Sequence, residues 1–187
     1  AESLKGNKVM QELIISGKFL GYDSDYNSNM SGVIAISDAI PTMGAMTSLN
    51  VSANGLLNRD SGKALADVLK ENSVLKKLDV SNNYDKYKSS SQDGSGFAKE
   101  LAIGVGTNGA MVIVNVMGNN IRKEQLSRLQ EMMKTHPTLV SLCGIADDAT
   151  EANLSGLGMD AADAVILADE LPAKGALTSL NVLSLIH

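Results

Sequence analysis

Asp23, Asp25, Asn27 and Asn29 take every second position in the stretch YDSDYNSNMSG, Tyr22 to Gly32. Side-chain oxygens alternating in this way open a calcium-binding loop, where they converge on one ion. Such a loop also needs a glycine at its sixth position for a sharp turn and a bidentate glutamate at its twelfth. Counted from Asp23, those positions hold Ser28 and Ile34. Two helices should flank the loop, yet the preceding MQELII alternates like a strand. The expectation is a polar, solvated insert, with a weak cation site on its acids as the alternative. No metal ligand is assigned.

Two further constellations invite chemistry. GVGTNG, Gly104 to Gly109, fits the glycine spacing of a dinucleotide-binding turn. That chemistry needs a strand before the glycines and a helix after them, so that helix N–H groups face the phosphates. Here a helical stretch, Phe97 to Val105, comes first and a strand at Met111 follows, so a helix C-terminal turn is expected and no cofactor. Cys143 and His136 could form a thiol–imidazole pair. Seven extended residues separate them by about 20 Å, beyond hydrogen-bond reach. The only other histidine is His187, so a His/Cys metal cluster is not expected, and neither is an enzyme.

Composition narrows the classes further. The 187 residues are 44% hydrophobic but only 3% aromatic, which demands an aliphatic core. A net charge of −5 with no basic run argues against nucleic acid and anionic membranes as partners. No apolar run is long enough to span a membrane. The single cysteine excludes an internal disulfide framework and points to a reducing, cytoplasmic setting, although a signal peptide could lie upstream.

The elements that position these residues recur. MTSLNV at Met46 returns as LTSLNV at Leu177, and MQELII at Met10, LKKLDV at Leu75, MVIVNV at Met111 and LVSLCG at Leu139 share its apolar-x-x-apolar-x-apolar pattern. Only Gly144 breaks the last apolar position. At the same later offset stand Lys18, Asn54, Asn83, Asn119, Asp147 and Leu185. Between copies lie stretches with apolar spacings of three and four: Leu65, Val68, Leu69; Leu126, Leu129, Met133; Val165, Ile166, Leu171. Asp60 and Ser61 are candidate caps for the helix they precede. ALADVLKENSVLKKL, from Ala64, aligns without gaps on ILADELPAKGALTSL, from Ile166.

This pattern resembles the leucine-rich repeat, L-x-x-L-x-L-x-x-N, over nearly the whole chain, and its short units are similar to the ribonuclease-inhibitor-like class. The resemblance implies one α/β domain over 1–187, a horseshoe-shaped solenoid. Six parallel strands would line its concave side and helices its convex side, in units starting at 10, 46, 75, 111, 139 and 177. Leu49, Val51, Leu78 and Val80 should enter the core while their neighbours face outward. The recurring Asn should satisfy backbone groups where the chain leaves the sheet. Both ends read as truncated repeats of a longer solenoid, and exposed terminal faces imply end-to-end association.

Extra residues in the longer units fall between strand and helix, in FLGYDSDYNSNMSG, YDKYKSSSQDGSG and IADDATEANLSGLG. All four tyrosines, Tyr22, Tyr26, Tyr84 and Tyr87, lie in the first two. Tyrosine gives large contact area with few rotors to freeze, which makes the rim a candidate docking surface; equally, the rings could pin the loops to the neighbouring repeat. The concave face is the other candidate, through Asn50, Lys77, Asp79, Asn115 and Asn181, with Ile113 and Met117 as apolar anchors and Cys143 as an exposed thiol. Protein–protein recognition is the expected function, as an inference from fold. A regulatory module, such as a GTPase-activator-like or receptor sensing arm, is the alternative.

Overall fold

The computed structural model describes residues 2–25, 27, 29–56, 58–84 and 94–183. Tyr26, Tyr87, Leu185 and His187 lie outside the described residues. Among these residues, six short strands alternate with five helices: β1 (Glu12–Ile14), α1 (Ser31–Ser37), β2 (Ser48–Asn50), α2 (Arg59–Glu71), β3 (Lys77–Asp79), α3 (Ser95–Thr107), β4 (Ile113–Asn115), α4 (Lys123–Thr135), β5 (Glu151–Asn153), α5 (Ala161–Glu170) and β6 (Ser179–Asn181). A 3-10 turn, Glu2–Leu4, precedes the first strand. No helix among the described residues is long and apolar enough to cross a membrane.

Strands β1 to β4 pair in parallel and in chain order. Register places Leu13, Leu49, Leu78 and Val114 side by side, each sending its side chain toward the helices. Leu49, Val51, Leu78, Val80, Val114 and Val116 are all buried, as the alternation demands. They join Met43, Met46, Leu75, Met111 and the inner helix residues Leu65, Leu69, Phe97 and Leu101 in one aliphatic core. Helices α2 and α3 approach closely because glycines face them. A Cβ on Gly104 would lie 2.4 Å from the Ala66 Cα, and one on Gly62 would lie 2.7 Å from the Phe97 carbonyl oxygen. The GVGTNG stretch thus runs from the end of α3 into the turn before β4, as its order predicts.

Side-chain amides tie the turns together in two columns. In the first, Asn83 Oδ1 accepts from the Asn54 N–H at 2.7 Å, while its Nδ2 donates to the Val80 carbonyl at 2.7 Å. Asn54 likewise receives the Lys18 N–H, and Asn119 receives the Asn83 N–H. Each amide replaces water at backbone groups that no strand reaches. The second column stands three residues before the strand patterns, except that of Met46, where the buried Met43 takes the place. Asn108 Oδ1 accepts from the Ala110 and Met111 N–H groups, and its Nδ2 donates to the Leu69 and Asn72 carbonyls. Asn7 and Asn72 accept from the same places in their own turns. His136 does the work of an amide here. Its Nδ1 accepts from the Thr138 and Leu139 N–H groups, so Nε2 carries the proton toward the Val105 and Asn108 carbonyls.

The single six-stranded sheet is not what forms. Among the described residues there are two sheets, β1–β4 and β5–β6. The chain at Ser141 begins to pair with Ile113 in parallel, but Cys143 meets Asn115 in an antiparallel bridge. Between Cys143 and the loop beyond lies Gly144, at φ +82°, a left-handed conformation that turns the chain out of the strand. The fifth strand forms later, inside the segment expected to be an insert, IADDATEANLSGLG. Thr150 O accepts from the Thr178 and Ser179 N–H groups, just as Thr47 O accepts from Lys76 and Lys77. Ala149 and Ala152 take the places that larger residues fill in the other units, and Leu154 takes that of Val51 and Val80. Three smaller expectations also change. Helix α2 is capped by Asn58, whose side chain accepts from the Ser61 N–H, instead of by Asp60 or Ser61. Val165 faces solvent beside the buried Ile166 and Leu167. Asp147 leaves the amide column and pairs with Lys174 at 2.7 Å.

Candidate functional site

The outer face of the four-stranded sheet carries two rows of side chains set by register. One row is Glu12, Ser48, Lys77 and Ile113; the other is Ile14, Asn50, Asp79 and Asn115. Together they line a shallow groove of about 190 Å³, closed at its far end by Gly144. Ser48 Oγ donates to Glu12, and Asn50 Nδ2 donates to Asp79 Oδ2 at 3.2 Å, so neighbouring strands are linked across the face. The Asn and Asp of the second row also hold the turn that follows them: Asn50 Oδ1 accepts from the Ser52 N–H, Asp79 Oδ1 from Ser81, and Asn115 Oδ1 from Met117. Lys77 is exposed and Ile14 is 60% exposed, leaving one cation and one apolar side chain available at the surface.

Three expectations for this face are corrected. Ile113 is 7% exposed and Met117 is fully buried, so neither is an accessible anchor. Gly144 lies against Asn115, where a Cβ would come within 3.0 Å of its side chain, and the departing chain shelters this end of the sheet. Cys143 is buried, not an exposed thiol, because the turn at Gly144 carries it inward. Asn181 is exposed on β6, in the other sheet, where its Oδ1 accepts from the Leu183 N–H.

On the rim, Tyr22 is half-buried over Gly55: a Cβ there would lie 2.2 Å from the ring. Its ring also tilts against Phe19, with centroids 6.5 Å apart. Tyr84 packs against the core edge. Asp23 turns back on its own loop, accepting from the Asp25 and Asn27 N–H groups at 2.9 Å. Among the described residues, no three His, Cys, Asp or Glu side chains converge as metal ligands would.

Sequence reasoning passed over a buried polar cluster at the break between the sheets. Glu170, at the end of α5, is 3% exposed. Its carboxylate accepts from the Leu142 N–H at 2.5 Å, from Ser141 Oγ at 2.8 Å and from Cys143 Sγ at 2.8 Å. Burial, with the Glu170 charge beside it, pushes the Cys143 thiol up to about 12. Lys174 is buried nearby and donates to the Val140 carbonyl and to Asp147. Its position three residues before LTSLNV matches Asn72 and Asn108, a registration visible in the sequence once the second column is known. Glu170 carries no comparable signal.

Compared with known proteins, the chain matches no protein-family model and no curated protein.

Proposed function

We propose that this chain is a leucine-rich-repeat-type scaffold that binds a protein partner through the outer face of strands β1 to β4. The observation that carries this reading is the groove itself: two registered rows of short polar side chains, with Lys77 and Ile14 standing above them. A bare parallel-sheet face is uncommon, since crossover helices ordinarily cover both sides, and repeat proteins use such a face for recognition. The half-buried packing of Tyr22 and Tyr84 favours loop pinning over docking on the rim. The reading includes no catalysis and no cofactor, with a cytoplasmic setting.

The test is affinity capture with the wild-type chain against an Ile14→Lys/Lys77→Glu variant. Both side chains are solvent-facing, so the fold should persist by circular dichroism. Loss of the captured partner is expected; unchanged recovery overturns the reading. The same reading includes weak end-to-end self-association. It is supported by the exposure of Val9, Ile14, Val182 and Leu183 near the two outermost strands. A concentration-independent monomer mass in light scattering would remove it.

A further inference from the structure

His136 stands three residues before a strand pattern, where Asn7, Asn72 and Asn108 stand in other units. An amide can serve such a turn at any pH, but an imidazole serves it in one protonation state only. Nδ1 accepts from the Leu139 N–H at 2.9 Å and from the Thr138 N–H at 3.3 Å. A proton on Nδ1 takes the lone pair that both bonds use and turns the nitrogen into a third donor. On the other side of the ring, Nε2 donates to the Asn108 carbonyl at 2.8 Å and to the Val105 carbonyl at 3.1 Å. That proton is present in both states, and a charged ring donates more strongly. Acid therefore breaks the contacts on one edge of the ring and keeps those on the other. Imidazole is also the side chain whose charge ordinarily changes between about pH 5 and 8.

We propose that His136 is an acid-operated latch on the segment that ends the four-stranded sheet. The ring stays with α3, and the chain after it lets go. Leu139, 6% exposed, begins that segment; the Val140 N–H then bonds to the Val112 carbonyl, and Ser141 pairs with Ile113. The segment runs on to Gly144, which closes the far end of the sheet-face groove. The opening is local, because Thr138 Oγ1 still donates to the Met111 carbonyl at 2.8 Å. The charged groups on the surrounding elements are Glu131 and Lys134 on α4, both exposed, Lys99 and Glu100 on α3, and Lys174, which is held by Asp147 and the Val140 carbonyl. None of them pairs with the ring among the described residues, and Glu100 is taken by Arg59. No neighbouring charge therefore replaces the two bonds that acid removes. The device is independent of the scaffold reading, since it needs no partner.

The experiment is backbone amide hydrogen exchange of the whole chain, read by NMR at pH 7.5 and pH 5 and corrected for the intrinsic dependence of exchange on pH. The ring nitrogens of His136, observed in the same samples, report when Nδ1 gains its proton. Protection of the Leu139 amide should fall at least tenfold in step with that proton, while the Leu101 amide in α3 changes less than twofold. His136→Asn, which restores the amide of the other turns, should keep Leu139 protected at both pH values. A protonated ring with Leu139 still protected overturns the proposal. So does a ring that remains neutral at pH 5, or an equal loss at Leu101, which would mean a general loosening of the domain. The same acid loss in His136→Asn would assign the effect to another group and overturn it as well. If His136→Asn does not fold, the wild-type comparison of Leu139 with Leu101 decides alone.

Discussion

Glu170 Oε1 accepts a hydrogen bond from the Leu142 backbone N–H at 2.5 Å. In a continuous sheet that N–H would meet the carbonyl of a neighbouring strand. Here α5 brings a carboxylate to it across the break between the two sheets, and the second oxygen collects Ser141 Oγ and Cys143 Sγ. One carboxylate oxygen supplies the acceptor that the neighbouring strand would have provided.

Removing it should therefore strand several buried donors. Glu170→Ala is expected to lower unfolding stability by about 3 kcal/mol, because each unpaired buried group costs roughly 1–3 kcal/mol. Glu170→Gln keeps one acceptor oxygen and should lose less. Urea unfolding of both variants checks the order; equal stability of Glu170→Ala and wild type would show that the junction does not depend on this carboxylate.

Cys143 should be unreactive while the chain is folded. With the thiol pushed from 9.0 up to about 12, its thiolate fraction at pH 8 falls roughly a thousandfold. Labelling with a disulfide reagent should be slow in buffer and fast in denaturant. Rapid labelling of the native chain would contradict the buried placement.

Asp163 gives a pH dependence of unusual sign. Its Oδ2 accepts from the Gly118 N–H and the Asp160 N–H, both at 3.0 Å. Burial nevertheless pushes its carboxyl from 3.8 up to about 6. Between those values the native chain holds a proton that the unfolded chain has released. The contribution of this group is therefore fullest below pH 3.8 and declines as pH rises through about 6. Asp163→Asn keeps an acceptor oxygen without the charge. It should flatten this part of the profile and melt no lower than wild type at pH 7. Parallel melting curves from pH 4 to 7 for the two chains would refute this.

Asn83 should be among the least replaceable polar residues. It accepts from Asn54 and Leu56 and donates to Val80. Asn83→Ala is expected to cost about 2–4 kcal/mol. Asn83→Asp should be at least as damaging at neutral pH, since a charge then faces the Val80 carbonyl that the amide served. Asn181→Ala, on an exposed strand, should change stability by about 0.5 kcal/mol or less in either direction. Chemical denaturation of the three variants makes the comparison.

Gly104→Val tests the close approach of α2 and α3. The added carbons would overlap Ala66, and overpacking of this kind costs about 1–3 kcal/mol. A thermal melt unchanged from wild type would mean that the helices can separate freely.

The sequence by itself determined the local grammar. Period-two alternation at MTSLNV and its relatives is a property of a strand with one buried face, so Leu49, Leu78 and Val114 could be placed inside without coordinates. The Asn at Asn54, Asn83 and Asn119 recurs because the turn it serves recurs. The tertiary structure decided where repetition stops. Ala149 and Ala152 carry too little apolar surface to announce β5, while Leu139 and Leu142 announce a strand that Gly144 turns away. Glu170 is an ordinary surface acid by sequence, and Asp163 reads only as the third residue of a helix capping box with Asp160. Their roles come from donors 28 and 45 residues away, the Leu142 and Gly118 N–H groups, and only packing brings those donors within reach.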